Sequence, residues 1–281
     1  MAAVLGTNTA SIMASRNLQS AQSNLAASVE RLSSGLRINR AKDDAAGLAI
    51  ANSLTQQING ANQGIRNLND GISIVQTADG AIAAATEMAQ RILTLATQGA
   101  SGTLSANQYT AISDECVALL ASIDSIEART LFSGTAILAA TANITIAASN
   151  VTGDTITIDM ALSLEAIGSG STTGTALDTA LTTGITTVAT SATVVGLAES
   201  YLEALDLQRA SLGSLQNQME YAVSNVTDLS ANLQAARSRV MDTDYANETA
   251  SLTKGQILQQ AATAMLAQAN QMPNVILSLL K

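Results

Sequence analysis

Two pairs of carboxylates stand close together along the chain, Asp43 with Asp44 and Asp242 with Asp244. Paired acids of this kind can move protons or hold a hard cation. The rest of such a site is missing. The 281 residues contain no histidine and a single cysteine, Cys116, which removes imidazole catalysis, His-based zinc sites and Cys/His metal cages. We therefore read the acids as helix-start charges and packing partners. No catalytic, metal-binding or cofactor-binding residue is assigned, and no enzyme activity is expected. Cys116 cannot form an intrachain disulfide. It falls on an apolar seam, where a small buried side chain is the reading and a reactive thiol is not.

The basic residues near these acids are few. Arg37, Arg40 and Lys42 precede Asp43, and Lys254 follows Asp242, Asp244 and Glu248. We expect Arg37 or Arg40 to pair with the acids of residues 241–257, within one chain or between chains. A formal charge of −9 with no basic run argues against a nucleic-acid partner. No stretch has the roughly 18 unbroken apolar residues of a membrane span. The start, MAAVLGTNTASIMASRNLQS, lacks a basic segment followed by an apolar one, so no ordinary cleaved signal is expected.

The elements that position these residues are helical. Hydrophobic residues make up 47% of the chain but aromatics only 2%, with one phenylalanine and one proline. Small side chains in such proportion suit long helices in close approach. From Leu54 an apolar frame advances in alternating steps of three and four through Leu68, Val75, Ile82 and Leu93 to Ala96. It predicts one helix of about 55 residues, roughly 80 Å long, with Asp43 and Asp44 at its start. GASGTLSANQ (99–108) ends it, and Ser105 with Gln108 forms a capping-box pattern for a shorter helix carrying Ile112, Cys116, Leu119, Ile123 and Ile126.

A second long frame runs from Leu212 to Val240 and crosses a polar stretch at 241–257. It resumes as Leu258, Ala261, Met265, Gln268, Met272, Val275 and Leu279. A weaker frame from Val4 to Leu32 ends at Gly35, a left-handed helix stop. Between 135 and 196 the rhythm is lost. ITI (144–146) and TITID (155–159) alternate as strands of a hairpin around NVTGD. GSGSTTGTALDTALTTGITT (168–187) reads as a loose insertion whose glycan state composition does not decide.

The terminal frames pose the functional question. An isolated amphipathic helix is marginal in water, and the C-terminal frame carries side chains each worth about 1.5–3 kcal/mol when fully buried. Its natural partner, the N-terminal frame, places Thr7, Ser11 and Ser28 on the seam. One reading is a self-contained bundle with loose ends. The sharper one is that other copies of the chain cover the ends. Head-to-tail contacts that do not close into a ring produce a helical filament. The candidate assembly contacts are Arg37, Arg40, Asp242, Asp244, Leu258, Met265, Met272, Val275 and Leu279.

Two long blocks carry a resemblance. SVERLSSGLRINRAKDDAAGLAIA (28–51) and AARSRVMDTDYANETASLTKGQILQQAATAMLAQANQMPNVILSLLK (235–281) are similar to the terminal blocks of bacterial flagellin, the subunit of the flagellar filament. LFSGTAIL and GDTITIDM resemble the start of that family's β region. The resemblance implies a mostly α fold, a long antiparallel helical rod built from both chain ends with a small β hairpin. It implies a terminal domain at 1–43 and 241–281, a rod domain at 44–160 and 197–240, and a short variable insert at 161–196. The implied function is polymerisation through the terminal helices into the extracellular filament for motility. A hook–filament junction protein is the alternative, which the flagellin-like text at 28–51 disfavours. An enzyme carried in the variable region is disfavoured by the missing histidine, and a secreted pore-forming effector by the missing membrane segment.

The same resemblance implies partners. They are further copies of the chain, the type III export apparatus with its secretion chaperone, and the filament cap and hook-junction proteins. MAQRILTLATQ (88–98) resembles the stretch that the vertebrate Toll-like receptor for flagellin reads. Carried over, it gives Arg91 and Leu95, with Glu115 from the next helix. Leu93 stands where many recognised members have a second basic residue.

Overall fold

A computed structural model describes residues 7–138, 143–149, 153–158 and 173–279, the side chains of 173, 174 and 273–279 excepted. The described chain is mostly helical. The helices are α1 (Thr9–Ser34), α2 (Ala45–Gly99), α3 (Ala106–Arg129), α4 (Thr173–Thr183), α5 (Val188–Met241) and α6 (Tyr245–Leu279). The strands are β1 (Leu131–Phe132), β2 (Thr135–Ala136), β3 (Ile144–Ala147) and β4 (Thr155–Ile158).

Five of these helix starts have a local cause. The first N–H groups of a helix have no partner inside it, and short polar side chains supply one. Asn8 accepts from the Ser11 amide at 3.0 Å to start α1, and Asp44 from the Gly47 amide at 2.8 Å to start α2. The expected capping box begins α3, with the Ser105 amide donating to Gln108 Oε1 at 2.7 Å. Thr187 Oγ1 accepts from the Thr190 amide at the head of α5. At α6, Asp244 Oδ1 accepts from the Ala246 amide at 2.9 Å. The 55 residues of α2 run without a break, as the proline-free frame predicts.

Contacts divide the chain into two compact units, residues 1–58 with 232–281 and residues 59–231, so the divisions fall inside α2 and α5. The second unit holds the main core. Within it α2 and α5 run antiparallel in a constant register: Asn62 meets Ser230, Asp79 meets Arg209 and Gly99 lies against Ser191. The α2 frame is inside, with Leu68, Val75, Ile82 and Ala96 all buried. The seam of α3 adds Ile112, Cys116, Leu120 and Ile123. Asp79, the frame's polar position, bonds Arg209 Nε at 2.9 Å across the seam.

The hairpin expected from ITI and TITID is present. β3 pairs antiparallel with β4, with Ile146 opposite Ile156 and Ile144 opposite Ile158. It sits on α2, where Asn67 Nδ2 donates to the Ala147 carbonyl at 3.1 Å. A smaller hairpin, β1–β2, turns through Ser133 and Gly134, both at positive φ.

The loose insertion expected over 168–187 needs correction. Residues 161–172 lie outside the described residues, but α4 and the first turns of α5 follow them. Leu177, Leu181 and Ile185 recur every fourth residue and are buried, as is Val194. The Thr179, Thr182 and Thr183 hydroxyls donate to their own helix's carbonyls four residues back, which satisfies them without solvent. Burial of one leucine stripe thus overrides the weak helix propensity of threonine.

Candidate functional site: the paired terminal helices

The first unit is built around a joint. Gly35 ends α1 at φ 72°, and its amide donates to the Arg31 carbonyl at 2.8 Å. A left-handed residue here suits glycine, which has no Cβ to clash. The chain then pairs with the stretch between α5 and α6. Leu36 bridges Asp242, the Arg37 amide donates to the Met241 carbonyl at 2.6 Å, and the Thr243 amide donates to the Gly35 carbonyl at 2.9 Å.

Within the chain, Arg37 and Arg40 do not pair with the acids of residues 241–257. Arg37 Nη2 donates to the Val240 carbonyl at 2.7 Å, in the last turn of α5. Arg40 pairs with Glu30 at 2.8 Å. Glu248 lies 3.7 Å from Arg31. The acids serve backbone instead. Asp244 caps α6, and Asp43 Oδ2 accepts from the Asn39 and Arg40 amides. Helix ends carry unpaired amides and carbonyls next to these side chains, and these near partners outcompete a distant opposite charge. The exposed Arg40–Glu30 pair contributes only about 0–1 kcal/mol.

Beyond the joint α1 and α6 run antiparallel. Asn8, already capping α1, donates through Nδ2 to the Ala269 carbonyl at 2.8 Å, and Ser11 Oγ meets Asn270 Oδ1 at 2.8 Å. Leu25 lies against Gly255. On α1 the expected frame faces the partner: Ala14, Ala21 and Ser28 are buried, and Ser11, Leu18, Leu25 and Leu32 half-buried.

On α6 the frame is corrected. The stripe toward α1 is Leu252, Gly255, Gln259, Ala262, Leu266 and Ala269, all buried or half-buried. The expected seam residues Leu258, Met265 and Met272 are instead 48%, 65% and 55% exposed. The cause is the break between Met241 and Tyr245, because a three–four count carried across a non-helical joint does not carry helical phase. Both stripes obey the spacing, and the one with glycine and alanine lets the backbones approach. The Val275 and Leu279 side chains lie outside the described residues.

The outcome is an open apolar groove along the pair, about 610 Å³, lined by Met13, Ala14 and Ala21 of α1 and Leu258, Met265 and Met272 of α6. Ile12 and Val29 of α1 and Ile257 of α6 are also more than half exposed. Exposed apolar surface concentrated along one helix pair marks an interaction face.

Arg91, Leu95 and Glu115 fall in the other unit. Antiparallel packing of α2 and α3 brings Arg91 Nη2 to 2.7 Å from Glu115 Oε1, with Nε donating to the same oxygen at 3.0 Å. Both side chains are about half exposed. Leu95 departs from expectation: it is 3% exposed, on the core-facing stripe of α2, and offers no surface to a partner in this conformation. Cys116 is buried, and burial, then the neighbouring Glu115, push its thiol up to about 11, opposed by Arg91. It stays a protonated apolar side chain, as read. Among the described residues no group of three His, Cys, Asp or Glu is placed to hold a metal ion, and no helix is long and apolar enough to cross a membrane.

Comparison with known proteins bears on what such a pair is for. Residues 5–143 match the bacterial flagellin N-terminal helical region, and residues 182–280 match the C-terminal helical region. Flagellin B of Vibrio anguillarum is 33% identical, with all of both chains covered. The flagellar filament 33 kDa core protein of Treponema phagedenis is 37% identical over 99% of this chain and all of its own. A solved flagellar hook-associated protein of Vibrio parahaemolyticus shares the fold at a TM-score of 0.59 and 14% identity, covering 71% of this chain and all of that one. Matched in both helical halves and along its whole length, the chain belongs to the bacterial flagellin family.

Proposed function

We propose that the chain is a structural subunit that polymerises through α1 and α6 into the extracellular flagellar filament. The observation that carries the reading is the stripe Leu258, Met265, Met272. These three large side chains are apolar, helical in spacing and uncovered, while the smaller-residue stripe of the same helix is used within the chain. Further copies of the chain cover the three. The joint residues Arg37, Arg40, Asp242 and Asp244 set the geometry from which the pair emerges. Purified chain added to sheared filament seeds should elongate them into helical filaments visible by electron microscopy. Protein that stays monomeric at high concentration with competent seeds overturns the reading.

Export as an unfolded chain through the flagellar type III apparatus, with a chaperone holding the apolar terminal stripes, fits the same feature. A pair whose seam interleaves alanine, glycine and serine with its leucines opens more easily than one packed by leucine throughout. For the Toll-like receptor, the exposed Arg91–Glu115 pair is the surface on offer. Arginine at an interface centre often dominates binding, so Arg91→Ala should weaken the response of receptor-bearing reporter cells to purified monomer by about tenfold or more. Equal dose–response curves remove Arg91 from the contact.

A further inference from the structure

The groove is also where the oxidisable side chains gather. Six of the chain's eight methionines lie among the described residues. Met219 is buried, and Met88 and Met241 are half-buried. The three of these that are exposed, Met13 at 68%, Met265 at 65% and Met272 at 55%, all line one groove between α1 and α6. Cys116, the other sulfur, is sealed in the core of the other unit.

We propose that Met13, Met265 and Met272 form an oxidation site on the unassembled subunit, through which peroxide-class oxidants reversibly block its self-association. The inference rests on the assembly reading above and adds a means of regulating that face. In the step, the thioether sulfur attacks one peroxide oxygen. The O–O bond breaks, an S–O bond forms, and the other oxygen leaves as water after taking up the peroxide's protons. Sulfur loses two electrons and the peroxide gains them. Methionine sulfoxide is polar where methionine is apolar, and methionine sulfoxide reductases return it.

The consequence falls on assembly and not on the fold. In the open groove the new S–O dipole stays hydrated. When a second copy covers the groove, that dipole loses water without a designed partner, which is costly. Subunits already in a filament have these sulfurs covered and are protected.

The test starts from monomer treated with hydrogen peroxide, mapped by peptide mass spectrometry and then added to filament seeds. Met13, Met265 and Met272 should gain oxygen well before Met88, Met219 and Met241. The concentration needed for elongation should rise about tenfold or more, with circular dichroism unchanged. Methionine sulfoxide reductase with dithiothreitol should restore elongation, and dithiothreitol alone should not. The triple variant Met13→Leu, Met265→Leu, Met272→Leu, a volume-conserving set, should show an elongation concentration of its own that peroxide treatment does not shift. Oxidation spread evenly over all methionines, or full elongation with all three sulfoxides present, overturns the proposal. So does an elongation loss that reductase does not reverse. If untreated chain never elongates seeds, the assembly reading fails, and the selectivity of the oxidation map still stands or falls alone.

Discussion

With Leu258 and Met265 both changed to glutamate, the chain should fold and form no filament. The two effects separate because the side chains have different surroundings before and after assembly. In the subunit they are 48% and 65% exposed, on the side of α6 that the stripe toward α1 does not use. Glutamate is as good a helix former as leucine or methionine, and exposed substitutions commonly stay within about 0.5 kcal/mol. In the proposed filament the same positions are covered, and a buried carboxylate without a partner costs several kcal/mol. Two such charges, repeated in every subunit, should raise the concentration for seeded elongation by about a thousandfold or more. Sedimentation and electron microscopy read the loss, and a thermal melt near that of the parent chain shows that the subunit survives. Filaments at the parent concentration would place this stripe outside the interface.

That prediction depends on a correction the sequence could not supply. Within one helix the apolar count is reliable. The frame of α2 holds from Leu54 to Ala96, none of its members is exposed, and even Asp79 keeps its seam position by pairing with Arg209. The frame of α1 is equally sound. The count fails where it crosses Asp242–Asp244, because three non-helical residues rotate the next helix by an amount that spacing does not encode. In α6 two stripes satisfy the rule, and larger side chains weigh more in any hydrophobicity count. The structure gives the inner place to the stripe that holds Gly255, Ala262 and Ala269.

The other misreadings share a cause. Threonine-rich text from 168 onward looks like loop because threonine lowers helix propensity. Yet Leu177, Leu181 and Ile185 were visible at four-residue spacing, and burial of that stripe decides the outcome. At the joint, charge signs suggested Arg–Asp pairs. Loop and helix-end amides stood closer, and the carboxylates of Asp43, Asp44 and Asp244 went to them. Leu95 lay on a stretch read by resemblance as receptor-facing, but its phase on α2, three residues after buried Ile92, already pointed inward. In each case a short-range partner or helical phase outweighed a pattern read at the level of residue type.

Gly64→Ala should destabilise the subunit by about 2–4 kcal/mol, although alanine in place of an interior helical glycine ordinarily gains up to about 1 kcal/mol. Gly64 lies in the buried face of α2 beneath the β3–β4 hairpin. A Cβ there would fall within the van der Waals radius of the Ala148 carbonyl oxygen, which is backbone and has no rotamer to change. The hairpin is held at this spot by the Asn67 bond to the Ala147 carbonyl, so it cannot slide without losing that bond. Lifting it uncovers Ile146, Ala148, Ile156 and Ile158, all buried now. Gly80 of the same helix is the internal control: a Cβ there meets no heavy atom within 4 Å. Gly80→Ala should therefore raise stability by about 0.5–1 kcal/mol. Denaturant midpoints of the two variants should move in opposite directions from the parent. A shift toward higher stability in both would mean that the hairpin does not rest on α2 at Gly64.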